Sequence, residues 1–78
     1  MKHELHDTVV LVNDLPKHGL RAGDLGAVVN IRPPESLDVE FVTASGRTTA
    51  LVSLKASDVR VIADTDLVAV RESIAHTA

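Results

Sequence analysis

Leu37-Asp38-Val39-Glu40-Phe41-Val42-Thr43-Ala44-Ser45-Gly46-Arg47 is the stretch whose reading decides the fold. Leu37, Val39 and Phe41 alternate with Asp38 and Glu40, so one face is apolar and the other acidic. That period of two is what a half-buried antiparallel strand requires, because successive side chains point to opposite faces. Thr43 to Arg47 then reads as a hairpin turn with Gly46 in the left-handed position. Thr48 to Leu54 is the returning strand, with Ala50, Val52 and Leu54 facing inward.

Upstream of this hairpin, Ala27 to Arg32 reads as a strand ended by Pro33-Pro34, and the apolar, β-branched run Thr8 to Val12 reads as a buried strand. The latter stops at Asn13-Asp14-Leu15-Pro16, since proline cannot donate to a ladder and Asn and Asp favour turns. Asn13 to Gly26 is a structured loop in which Leu15, Leu20 and Leu25 tuck inward as apolar pegs. Downstream, Lys55 to Asp58 is a short turn of 3₁₀ type and Val59 to Ile62 is a last strand. About five short strands and no helix long enough for a βαβ unit make an all-β chain. A small antiparallel barrel is the economical arrangement, because closure removes edges that so short a chain cannot otherwise cover.

The 78 residues accommodate one domain, with the barrel over about 7–62 and a C-terminal arm over 63–78. Leu67, Val70 and Ile74 have the spacing of a short helix capped by Asp64 or Thr65, whereas Leu67 to Val70 also fits a further strand. A short helix or an irregular arm is the expectation. Hydrophobic residues make up 45% and charged residues 24%, which places the chain among folded domains and outside the disordered regime. With no cysteine there is neither a disulfide nor a thiolate metal site. No apolar run approaches the ~20 residues of a transmembrane helix. The opening Met1-Lys2-His3-Glu4-Leu5-His6-Asp7 lacks the apolar core of a secretory signal, so a cytoplasmic location is expected.

The formal net charge is −3, and the eight basic residues stand singly among acids. Phe41 is the one aromatic residue and falls in the core pattern. Polyanion binders gather their cations on one face and add stacking platforms, so composition argues against nucleic acid as a partner.

Residues able to do chemistry are few. His3 and His6, with Glu4 or Asp7, have the spacing of a metal pair, but a frayed polar terminus is the expectation and no metal site is assigned. His18 has no serine or aspartate at a triad spacing. Gly19, Gly23 and Gly26 precede a strand, whereas a phosphate-cradling loop precedes a helix. Asp38 and Glu40 read as a solvated strand face. A catalytic pocket needs ~300 Å³ or more, and a five-strand barrel filled by its own side chains leaves little space for one. No cofactor is implied.

The loop Asp14-Leu15-Pro16 flanks the end of the barrel, and loops on a rigid scaffold are where binding tends to sit. It lacks the aromatic groove that proline-rich ligands need. The acids Asp14, Asp24, Asp38 and Glu40, with Leu15, Pro16 and Leu20, make up the expected contact surface for a partner protein.

After Asp7-Thr8-Val9-Val10-Leu11, the stretches Asp14-Leu15-Pro16, His18-Gly19-Leu20 and Gly23-Asp24-Leu25-Gly26 form a D-L-P-x-x-G-L-x-x-G-x-x-G run, followed by Val39-Glu40-Phe41, Asp58-Val59-Arg60 and an alternating end with Val70-Arg71-Glu72. This pattern resembles a bacterial family of short proteins known only as a domain of unknown function, over Asp7 to about Ser73. The resemblance implies an SH3-like barrel akin to the KOW-type and nitrile-hydratase-subunit barrels. It supplies no active site. Members stand beside toxin-like proteins, which implies an immunity or antitoxin role. The functional expectation is a non-catalytic protein-binding module that masks a cognate protein. The alternatives are a KOW-like nucleic-acid or ribosome-associated module, and an accessory subunit of a larger enzyme. A homodimer through an exposed edge or the tail is left open.

Overall fold

The computed structural model describes residues 3–73. Five strands, β1 (Thr8–Leu11), β2 (Leu25–Arg32), β3 (Ser36–Val42), β4 (Thr48–Lys55) and β5 (Val59–Val61), form one antiparallel sheet in the order β4-β3-β2-β1-β5. The phase expected of β3 is the observed one: Leu37, Val39 and Phe41 are buried while Asp38 and Glu40 face outward. Across β4 they meet Leu54, Val52 and Ala50 in register. The β3–β4 turn closes through Thr43, whose N–H donates to the Arg47 carbonyl at 2.9 Å, with Gly46 at φ +89°. That is the left-handed conformation a side chain would resist.

Between β2 and β3 the alternation is broken once. Val28 faces Val39 in the core, yet two residues later Asn30 lies opposite the outward Asp38, across a bulge at Val29. The bulge reverses the phase of the rest of β2, so that Ile31 packs on the core and Asn30 turns outward to Asp38. Without it Arg32 would share the inward face.

The sheet curls onto itself because of its connection. β4 and β5 lie at opposite edges, separated in a flat sheet by about 19 Å at roughly 4.8 Å per strand. Only the 3₁₀ turn Ala56–Asp58 joins them. Four Cα steps reach at most about 14 Å even when extended, and a 3₁₀ turn is shorter still. The edges must therefore come together, and Val9, Leu11, Val28, Leu37, Val39, Phe41, Val52, Leu54 and Val59 from all five strands share one core. This is the SH3-like barrel. Leu20 plugs it from the β1–β2 loop, and Leu15 packs beside it.

Two expectations are corrected. β2 begins at Leu25, two residues earlier than read, with Gly26 paired to Val9. The N-terminus is not frayed over Glu4–Asp7: the Asp7 carboxylate accepts the Glu4 N–H at 2.9 Å, and the His6 N–H reaches the Val28 carbonyl at 2.7 Å. Of the two forms expected of the tail, the irregular arm is the observed one through Ser73, with neither helix nor strand; Ile74, the last residue of the apolar stripe, lies outside the described residues. A helix of two turns is marginal without a surface to pack on, and Leu67 and Val70 find none. Among the described residues no helix is long and apolar enough to cross a membrane.

Gly26 is the tightest point of the barrel. A Cβ there would meet Val39 Cγ1 at 2.6 Å, Phe41 Cε1 at 3.0 Å and the Glu40 carbonyl oxygen at 3.1 Å. Gly26→Ala should therefore destabilise the fold by about 1–3 kcal/mol, the range of overpacked cores. Urea unfolding should show a lower midpoint at unchanged m; an unchanged midpoint would mean that β3 moves aside freely.

Candidate binding surface

The β1–β2 loop is rigid because its acids are spent on its own backbone. Asp14 Oδ1 accepts the Ala22 N–H at 2.8 Å, and Asp24 Oδ2 accepts the Arg21 N–H at 2.8 Å. Pro16 opens a 3₁₀ turn, Pro16–His18, as proline's fixed φ permits. Leu15 and Leu20 bridge across it, the Leu15 N–H to the Leu20 carbonyl at 2.9 Å. The Gly23 N–H then returns to the Leu11 carbonyl at 2.7 Å. Asp24 is thereby placed at the rim of the barrel with both oxygens directed outward to the C-terminal arm.

That arm is fastened at two places. Arg71 Nε donates to Asp24 Oδ1 at 2.8 Å, and one terminal nitrogen serves both Asp24 Oδ2 and the Gly19 carbonyl, the latter at 3.0 Å. At the other end Arg60 on β5 holds Asp66 through two hydrogen bonds of 2.8 Å, and Asp66 Oδ2 also accepts the Ala63 N–H at 2.7 Å. Bidentate pairs of this kind set orientation as well as attraction. Between the two fastenings Leu67 is 97% exposed, Val68 68% and Val70 95%. A groove of about 420 Å³ lies beneath, between Val68–Arg71 and the barrel residues Leu20, Leu25, Phe41 and Val42. The expectation of little space for a pocket therefore fails at the rim of the barrel.

The electrostatics follow from these contacts. Burial acts to raise the Asp24 carboxyl, but Arg71's hydrogen bond, the Arg21 N–H and the charges of both arginines outweigh it and hold the group below its ordinary value. For Asp66, the Arg60 hydrogen bonds and the Ala63 N–H lower the carboxyl to about 2. Asp38 is held low first by the Ser53 hydroxyl at 2.7 Å, against some desolvation, with Asn30 and Arg32 adding to the effect.

The residues expected to form one contact surface fall into three places. Asp14, Leu15, Pro16 and Asp24 lie together on the β1–β2 loop. Asp38 and Glu40 lie on the outer face of β3, where Asp38 pairs with Arg32 and Glu40 accepts the Thr48 hydroxyl at 2.6 Å. No hydrogen bond or ion pair among the described residues connects the two groups. Leu20 is 4% exposed and packs in the core, reaching the surface only where it lines the groove under the arm. No cluster of three potential metal ligands occurs among the described residues, His3 and His6 included. Arg60, Asp66 and Arg71 were not read as contact residues from the sequence, where the arginines stood as isolated cations, and Leu67 and Val70 were read only as the apolar stripe of the tail. Arg71 stands 47 residues from Asp24, and no local pattern joins them.

The model for a domain of unknown function (DUF4926) matches residues 5–61. The chain belongs to this family. No curated protein and no solved structure matches it. The span shared with DUF4926 runs from the N-terminal turn to the end of β5, so the arm and both of its aspartate or arginine partners at 66 and 71 lie beyond the matched residues.

Both arm-fastening carboxyls are lower in the folded than in the unfolded chain. Their contribution is therefore present above the ordinary carboxylate value, ~3.9 for aspartate, and is lost as pH falls through the folded value. A carbon-13 NMR titration should give Asp66 a midpoint of about 2. A midpoint near the ordinary value would show that Arg60 does not hold the carboxylate in solution.

Proposed function

We propose that this chain is a non-catalytic protein-binding module of the cytoplasm, whose contact surface is the C-terminal arm and the adjoining rim of the barrel. One observation carries this reading. Leu67 and Val70 are almost wholly exposed on a segment that two bidentate ion pairs hold in place. Burying a leucine or valine side chain is worth about 1.5–3 kcal/mol, and the isolated chain forgoes that gain twice while ordering the segment. A partner's surface recovers it.

The four acids expected in the contact surface support this placement because each is engaged within the chain, Asp24 by the arm itself. Asp14, Asp24, Asp38 and Glu40 each accept hydrogen bonds from their own chain. Their charge assists encounter through the net −3 of the molecule, which acts on association rate more than on affinity. Masking of a cognate protein, as in an immunity or antitoxin pair, is compatible with such a surface, whose apolar anchors Leu67 and Val70 lie between two ion pairs.

Affinity capture from host lysate tests the reading when wild type is compared with the double variant Leu67→Ser/Val70→Ser. The wild type should retain one stoichiometric protein partner and the variant at least about tenfold less, since tenfold is only 1.4 kcal/mol. Equal retention by the variant would move the surface elsewhere. Recovery of nucleic acid alone, released steeply by salt, would replace the reading by a nucleic-acid module.

A further inference from the structure

We propose that the groove under the arm is a recognition site for an extended, apolar, arginine-bearing segment of a partner protein, bordered in the free chain by its own Val68–Arg71, of which Arg71 takes the arginine's place. The inference rests on the protein-binding reading above and names the partner's chemistry.

The acceptors define the ligand. Asp24 Oδ1, Asp24 Oδ2 and the Gly19 carbonyl oxygen converge on one guanidinium. A planar fork satisfies three acceptors so arranged, whereas an ammonium is a point charge without that geometry. The site is also partly withdrawn from water, with the Asp24 side chain 18% exposed and the Arg71 side chain 29%. A carboxylate in such a position is costly to leave unpaired, so whatever displaces the arm has to bring a guanidinium. Leu20, Leu25 and Phe41 on the barrel side make the remainder of the site apolar.

The arm is an imperfect occupant. It leaves about 420 Å³ of groove open. Among the described residues no backbone hydrogen bond joins residues 67–73 to the sheet, so exchanging it for another segment breaks side-chain contacts only. A better-filling segment with the same arginine gains apolar contact at little loss. The occupant is a different protein and not a second copy, because a second copy's arm brings the same Val68–Arg71, gains no contact over the chain's own, and still carries the entropy cost of association.

The test uses the full chain with Arg71→Ala, which frees the groove, and a blocked peptide of residues 66–73, Asp-Leu-Val-Ala-Val-Arg-Glu-Ser, as probe. The peptide should bind Arg71→Ala saturably and at least about tenfold more tightly than it binds wild type, where the tethered arm competes. Arg71→Lys in the peptide, or Asp24→Asn in the chain, should each weaken binding at least about tenfold. Circular dichroism establishes that each variant is folded. If Arg71→Ala is not, the same comparison is made with Arg71→Lys, which keeps the charge and loses the fork. Absence of saturable binding, or equal binding by the lysine peptide, would overturn the proposal. So would a wild-type dimer in sedimentation that Arg71→Ala abolishes, since the groove would then belong to a second copy. If the peptide fails while Leu67→Ser/Val70→Ser still loses its partner, the protein-binding reading stands and the groove assignment alone is withdrawn.

Discussion

Leu37, Val39 and Phe41 lie on one face of β3, and inward residues from β2 and β4 cover them on both sides. A slip of one residue would put Asp38 and Glu40 into the core and those three into water, which is why register is strongly specified wherever one face is buried. Every later feature of the molecule takes its position from this phase. β4 aligns Leu54, Val52 and Ala50 to it, and the 3₁₀ turn that follows delivers Val59 into the same core.

Two local departures from regularity let the rest of the chain obey that constraint. The absence of a side chain at Gly26 admits Val39 and Phe41 close to the β2 backbone. The bulge at Val29 turns Asn30 outward, where it joins Arg32 and Ser53 around Asp38. The outer face of β3 is consequently a self-satisfied polar network, and charge there is spent within the chain.

The arm beyond β5 has the opposite character. Its polar groups are fixed by Arg60 and by Asp24, while its apolar ones, Leu67 and Val70, find no cover. Ion pairs at partly exposed positions contribute little to overall stability, but they can select one path for a segment that has no ladder of its own. The barrel is the part that folds by burial. The arm is the part that is positioned by charge.

The strands could be read from Leu37–Phe41, Thr8–Leu11 and the glycine and proline punctuation, because alternation and turn chemistry are local properties of the chain. The 3₁₀ turn before β5 and the apolar pegs of the long loop were legible for the same reason. The bulge at Val29 was not, since nothing in Ala-Val-Val-Asn-Ile-Arg marks where the phase reverses until β3 lies beside it. Nor was the path of the arm: the spacing of Leu67, Val70 and Ile74 left a short helix or an irregular arm open, and only the distant partners Asp24 and Arg60 show where the chain runs. By itself the sequence determined an all-β barrel with an apolar core, through a period that any short window of residues displays. Tertiary structure alone decided where the arm lies and which apolar side chains it leaves uncovered, because that depends on an arginine and an aspartate 47 residues apart, brought together only once the sheet has curled.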